Sequence, residues 1–130
     1  MKIETYFQQV RQLVDTCAVV TASNITNDKR STTTGFIRGE VYFVDGSVLH
    51  LREFVDVELT VDRLTYTYHY MTADQQFVFR YDNTGHHKKL NLPTYPHHKH
   101  DGSEANVVAS EAPDLDAVLD EIEAQVELPN

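Results

Sequence analysis

This chain is poor in the residues that usually build staples, phosphate loops and membrane spans. It has one cysteine, no tryptophan, five glycines and four prolines among 130 residues. A lone thiol cannot close an intramolecular disulfide. Cys17 opens the apolar run CAVV, so it reads as a small buried hydrophobe. No segment approaches roughly 18 consecutive apolar residues. The opening MKIETYFQQV lacks a signal peptide's apolar core, so a soluble cytoplasmic protein with no membrane partner is expected. Without a glycine-rich phosphate loop or paired aspartates, nucleotidyl transfer ranks as a lower candidate. There are no repeats and no low-complexity linker, and the length suits one core, hence a single domain over 1–130.

Lys and Arg are absent after residue 100, where nine acids ending at Glu127 account for the whole formal charge of −9. The first hundred residues balance eleven bases against eleven acids. Such acidity argues against a protein that coats nucleic acid, but not against a small cationic pocket that meets one phosphate. Histidine, by contrast, is abundant and clustered. Five of seven lie in FRYDNTGHHKKLNLPTYPHHKH, residues 79–100, a local positive island.

Ile3, Tyr6, Phe7, Val10, Leu13 and Val14 recur at helical spacing and predict an N-terminal helix. From about 17 to 83, Val, Thr, Tyr and Phe alternate with period two between turn signals, which predicts an antiparallel sheet of about five strands. Asp45-Gly46 predicts a two-residue hairpin with Val41 opposite His50 and Arg38 opposite Glu53. In TYTYHYMTADQQFVFRYDN, a turn at Asp74-Gln75 sets Tyr68 opposite Tyr81, His69 opposite Arg80 and Tyr70 opposite Phe79. The tyrosines then share one face, and His69, Arg80 and Asp82 the other. VVAS predicts an edge strand. Pro113 with Leu115, Val118, Leu119 and Ile122 predicts an acidic C-terminal helix from about 113. The fold class is α+β, a curved antiparallel sheet with one helix before it and one after. Its open edges and aromatic content allow a homodimer.

Cleavage of RNA without metal needs a base for the 2′-hydroxyl, an acid for the leaving oxygen and cations for the phosphorane. Here one imidazole among His97, His98 and His100 serves as base and another as acid. Asp82 fixes a tautomer, and Arg80 and Lys99 contact the phosphate. His69, His86 and His87 are second candidates, and Tyr81, Tyr95 and Lys88 are candidate substrate contacts. This chemistry needs no cofactor. The competing reading is a divalent metal held by His98, His100 and Asp82, with His97 nearby and a position open to water. Against it, adjacent histidines point to opposite sides of an extended chain. His50, mid-strand, reads as structural. As a surface site, the cluster is expected to tolerate His98→Ala within about 1 kcal/mol.

The run RYDN at 80–83, HH at 86–87 and PHHKH at 96–100 is preceded by the TYHY strand and followed by VVAS, a proline and an acidic helix. From about residue 35 to the end, this pattern resembles the TumE family of small prokaryotic toxins. The resemblance implies a type II toxin–antitoxin pair, whose helix-turn-helix antitoxin represses its own operon and neutralises the toxin by contact. Toxins of that class stop growth by cutting or modifying RNA. A small phosphodiesterase acting on RNA or oligonucleotides is therefore expected. The alternatives are a metal-dependent hydrolase at the same histidines and a non-enzymatic toxin that acts by occupying a partner.

Overall fold

A computed structural model of the chain describes residues 1–126, so Glu127 of the acidic tail lies outside the described residues. Helix α1 spans Ile3–Thr16 and buries Ile3, Tyr6, Phe7, Val10 and Val14, the stripe expected from their spacing, with Leu13 at its margin. Five strands follow: β1 Val20–Lys29, β2 Thr34–Phe43, β3 Val48–Asp56, β4 Asp62–Met71 and β5 Phe77–Asp82. A short 3-10 turn, Gly85–Leu90, precedes β6 His98–Asp101 and β7 Val107–Ala109, and helix α2 Leu115–Gln125 closes the chain. The sheet is one open antiparallel meander of seven strands in chain order, not about five.

The extra strand is the second histidine clump itself, which lies outside the strands expected from sequence. Its four residues, HKHD, carry none of the branched or aromatic side chains that mark a strand in sequence. It forms because β5 offers a free edge and because its two inward residues, His98 and His100, find polar partners there.

Register decides which side chains share a face. The hairpin at Asp45-Gly46 has a three-residue loop: Phe43 N–H donates to Ser47 O at 3.0 Å and Gly46 N–H to Phe43 O at 2.9 Å. Gly46 sits at φ 83°, the left-handed conformation that closes such a loop. The pairing is therefore Val41 with Leu49, Glu40 with His50 and Arg38 with Arg52, one residue away from the expected register. At Asp74-Gln75 the loop is also longer than two residues, with Thr72 N–H donating to Gln76 O at 2.9 Å. A bulge between Tyr70 and Met71 removes the extra residue, so the expected pairs His69–Arg80 and Tyr68–Tyr81 form.

Both helices cover one face. Tyr6 of α1 and Tyr68 of β4 donate their hydroxyls to the two oxygens of Glu53, and Tyr81 of β5 donates to Glu121 of α2 at 2.6 Å. Ile37, Val41, Leu49, Leu51, Tyr66, Tyr68 and Phe79 are all buried in this core. Asp114 caps α2 by accepting from Ala117 N–H at 3.0 Å. Among the described residues, no helix is long and apolar enough to cross a membrane.

Candidate active site

The face turned away from the helices is polar, and the register arranges it in two rows. Thr26, Arg38, Arg52, Thr67, Asp82 and His98 pair strand by strand from β1 to β6. Asn24, Glu40, His50, His69, Arg80 and His100 form the adjacent row. Members of both rows line an open groove of about 790 Å³, with His86, His87, Thr84 and Glu104 along its walls.

At the β5–β6 end the groove meets a buried cluster. His98 and His100 are each 1% exposed and Asp82 is 3% exposed, so this is not a surface site. The expectation that His98→Ala stays within about 1 kcal/mol fails for that reason: the change would empty a buried, hydrogen-bonded volume. His98 Nδ1 donates to Pro96 O and His100 Nδ1 to Glu104 O, both at 2.8 Å, because a carbonyl oxygen can only accept. Both imidazoles therefore turn Nε2 inward. Asp82 Oδ1 lies 2.8 Å from His98 Nε2, but out of line for a hydrogen bond, and that nitrogen is left without one. Asp82 Oδ1 is fixed instead by Thr84, whose N–H and hydroxyl donate to it at 3.0 and 2.9 Å.

Arg80 closes the other side. Its Nη2 donates to His100 Nε2 at 3.1 Å and its Nε to Asp82 Oδ2 at 3.3 Å, while Glu104 grips the guanidinium fork at 2.6 and 2.7 Å. The guanidinium holds the Glu104 carboxyl below the usual carboxylate range. His87, from the 3-10 turn, leans edge-on over His98 and His100, with ring centroids 4.8 and 5.3 Å apart. Desolvation, then the two neighbouring imidazoles, push the His87 pKa below its ordinary value. His69 is likewise pushed down, by burial and then by Arg80.

The structure brings together Asp82, His98, His100, Arg80 and His87, with His69 on the groove floor and His86 exposed at its rim. It separates the others. Alternation along β6 sends Lys99 to the helix face, 5.0 Å from the Tyr81 ring and 3.6 Å from Glu121. Tyr81 lies on that face too, away from any groove ligand. His97 also turns away from the cluster, its Nδ1 2.8 Å from the Tyr66 hydroxyl. Tyr95 holds Gly85 O at 3.2 Å, and Lys88 is exposed on the 3-10 turn.

Several groove residues escaped the sequence reading. Glu104 supports both Arg80 and His100. Arg38 and Arg52 stand directly opposite each other, and neither makes an ion pair among the described residues. Next to them Phe36 and Phe54 stack with centroids 4.4 Å apart. The signal was present, but the one-residue slip at Asp45-Gly46 set Arg38 against Glu53, hiding the like-charged pair behind an apparent salt bridge. No curated protein and no solved structure matches the chain. A family model described as Toxin TumE matches residues 10–128, in keeping with RYDN, HH and PHHKH, and the chain therefore belongs to the TumE toxin family.

Proposed function

We propose that this toxin cleaves phosphodiester bonds in single-stranded RNA laid across the polar groove. The observation that carries the reading is the Arg38–Arg52 pair. Like charges directly opposite destabilise a sheet, so two arginines in that position with no ion pair among the described residues call for an anion between them. Phosphate is the anion that fits the adjacent stacked Phe36 and Phe54, which offer a platform for a base. From Arg52 to Asp82 is two strand spacings, roughly 10 Å, so a chain held by the arginines reaches the cluster within one or two nucleotides.

In the reaction Asp82, the member of the buried cluster that lines the groove, takes the 2′-hydroxyl proton. The oxygen attacks phosphorus, and the bond to the 5′-oxygen breaks as that oxygen gains a proton, for which we assign His86 at the groove rim as the donor. The products are a 2′,3′-cyclic phosphate and a free 5′-hydroxyl. A toxin family implies an antitoxin partner, and we infer one of the helix-turn-helix kind, which neutralises by covering this groove.

The test is incubation with labelled RNA, in EDTA and with added Zn²⁺ or Mn²⁺, of wild type beside the Arg38→Ala/Arg52→Ala double variant and His98→Gln. Wild type should leave cyclic phosphate ends, the arginine variant should be at least about tenfold slower, and His98→Gln should be inactive. Wild-type protein that cleaves neither RNA nor short oligonucleotides in any condition would leave a toxin that works by binding a partner.

A further inference from the structure

We propose that His87, His98 and His100 form a binding site for a divalent transition-metal ion of the zinc class, with Asp82 beside its open position. The site is shared with the reaction proposed above, but the argument for it does not depend on RNA being the substrate.

Three features of the cluster point to an ion. The ligand atoms of His87, His98 and His100 all lie within 4.8 Å of one another. A tetrahedral ion with bonds of 2.0–2.1 Å separates its ligand nitrogens by about 3.3 Å, so the set closes with a shift of at most about 1.5 Å. His87 can supply that shift, since it lies on a short surface turn at a non-helical φ of −110° and is only half buried.

The second feature is the outer support. His98 and His100 each spend Nδ1–H on a backbone carbonyl at 2.8 Å, from Pro96 and Glu104. In a neutral imidazole such a bond leaves Nε2 as a lone pair, and it is the usual second layer around metal-bound imidazoles. A structural pair of histidines has no need for both rings to be locked with their free nitrogens converging.

The third is the unmet demand at the centre. His98 Nε2 is buried without a hydrogen bond, although a carboxylate oxygen is 2.8 Å away. A buried lone pair facing a carboxylate is unfavourable, and a cation accepted by both removes the conflict. Arg80 now reaches His100 Nε2 at 3.1 Å and would give up that contact, remaining bound to Glu104 at 2.6 and 2.7 Å. Three nitrogens and an adjacent oxygen suit Zn²⁺, Co²⁺ or a similar late first-row ion rather than Mg²⁺ or Ca²⁺. A three-histidine ion keeps a fourth position for water, here facing Asp82 and the groove, where Asp82 could accept a proton from it.

The experiment is metal analysis of the purified full chain by mass spectrometry, then titration of chelator-treated protein with Co²⁺ and Zn²⁺, followed by visible absorption and calorimetry. About one ion per chain is expected, with the visible bands of four- or five-coordinate Co²⁺. His87→Ala, on a surface turn, should keep the wild-type melting curve and lose at least 100-fold in affinity. Asp82→Asn should lose about tenfold, and His50→Ala, elsewhere in the groove, should lose nothing. Folded wild type that takes up neither ion at 100 µM, or His87→Ala that binds like wild type, overturns the site. An ion bound as described in a protein that leaves RNA intact would keep the site and remove only the ribonuclease reading. Uptake of Mg²⁺ in preference to Zn²⁺ would overturn the assignment of the ion.

Discussion

Glu53 is the residue whose chemistry is most at odds with its surroundings. It is 1% exposed, and desolvation pushes its pKa up, with the hydroxyls of Tyr6 and Tyr68 and the Arg63 charge only partly opposing this. A carboxyl with a raised folded pKa binds its proton more tightly in the folded state. Stability therefore falls as pH rises from the ordinary glutamate value, about 4.3, to the raised one, and is regained on acidification. Glu53→Gln removes that dependence. Melting curves across pH 4–8 should show wild type gaining on Glu53→Gln as pH drops, and a gap of opposite slope would contradict the assignment. Glu53→Ala takes the acceptor from the hydroxyl protons of Tyr6 and Tyr68, leaving Tyr68 only its contact from Arg63, and should cost about 2–4 kcal/mol. A similar separation of stability from activity holds for the groove arginines. Arg38→Ala relieves a like-charged pair, so it should leave the melting temperature unchanged or raised while weakening RNA binding about tenfold.

Among the elements, β6 carries the clearest contrast. His98 and His100 face the cluster, and Lys99 between them faces the helices over the Phe79 and Tyr81 rings. Lys99→Ala should thus lower stability by about 1 kcal/mol and leave cleavage at the wild-type rate; a folded variant without activity would return Lys99 to the site. Asp114→Ala at the start of α2 should cost about 1 kcal/mol, read as a drop of about 4 °C in a thermal melt. These elements differ in how visible they were beforehand. Tyr66, Tyr68 and Tyr70 announce β4 because alternating aromatics have one structural meaning, and Ile3 to Val14 announce α1 in the same way. β6 was hidden because its buried face is made of histidines, which sequence patterns count as polar. The Arg38–Arg52 pair was hidden because Asp-Gly suits both a two-residue turn and the three-residue loop that forms. Asp82, His98 and His100 were legible as a group from their density, while His87's approach over them depends on the path of a loop that no periodicity encodes.

For the molecule as a whole, the sheet acts as a partition: helices, Lys99 and the acidic α2 lie on one side, and the arginines and the histidine cluster on the other. A net charge of −9 with so few unpaired groove cations predicts weak electrostatic attraction to nucleic acid. If Arg38 and Arg52 are the main phosphate contacts, log affinity for single-stranded RNA should fall against log salt with a slope of only about −1.4, reduced by about half in either single variant. A much steeper slope would mean a wider basic track than this face provides. The linear strand order carries a further consequence. Each strand pairs with the one before it in the chain, so the sheet can grow during synthesis in the order in which the ribosome delivers it. Asp82, His87, His98, His100 and Glu104 all come after the first four strands. On the ribonuclease reading proposed above, a chain caught part-way through synthesis would hold the arginines of the groove without the cluster that does the chemistry.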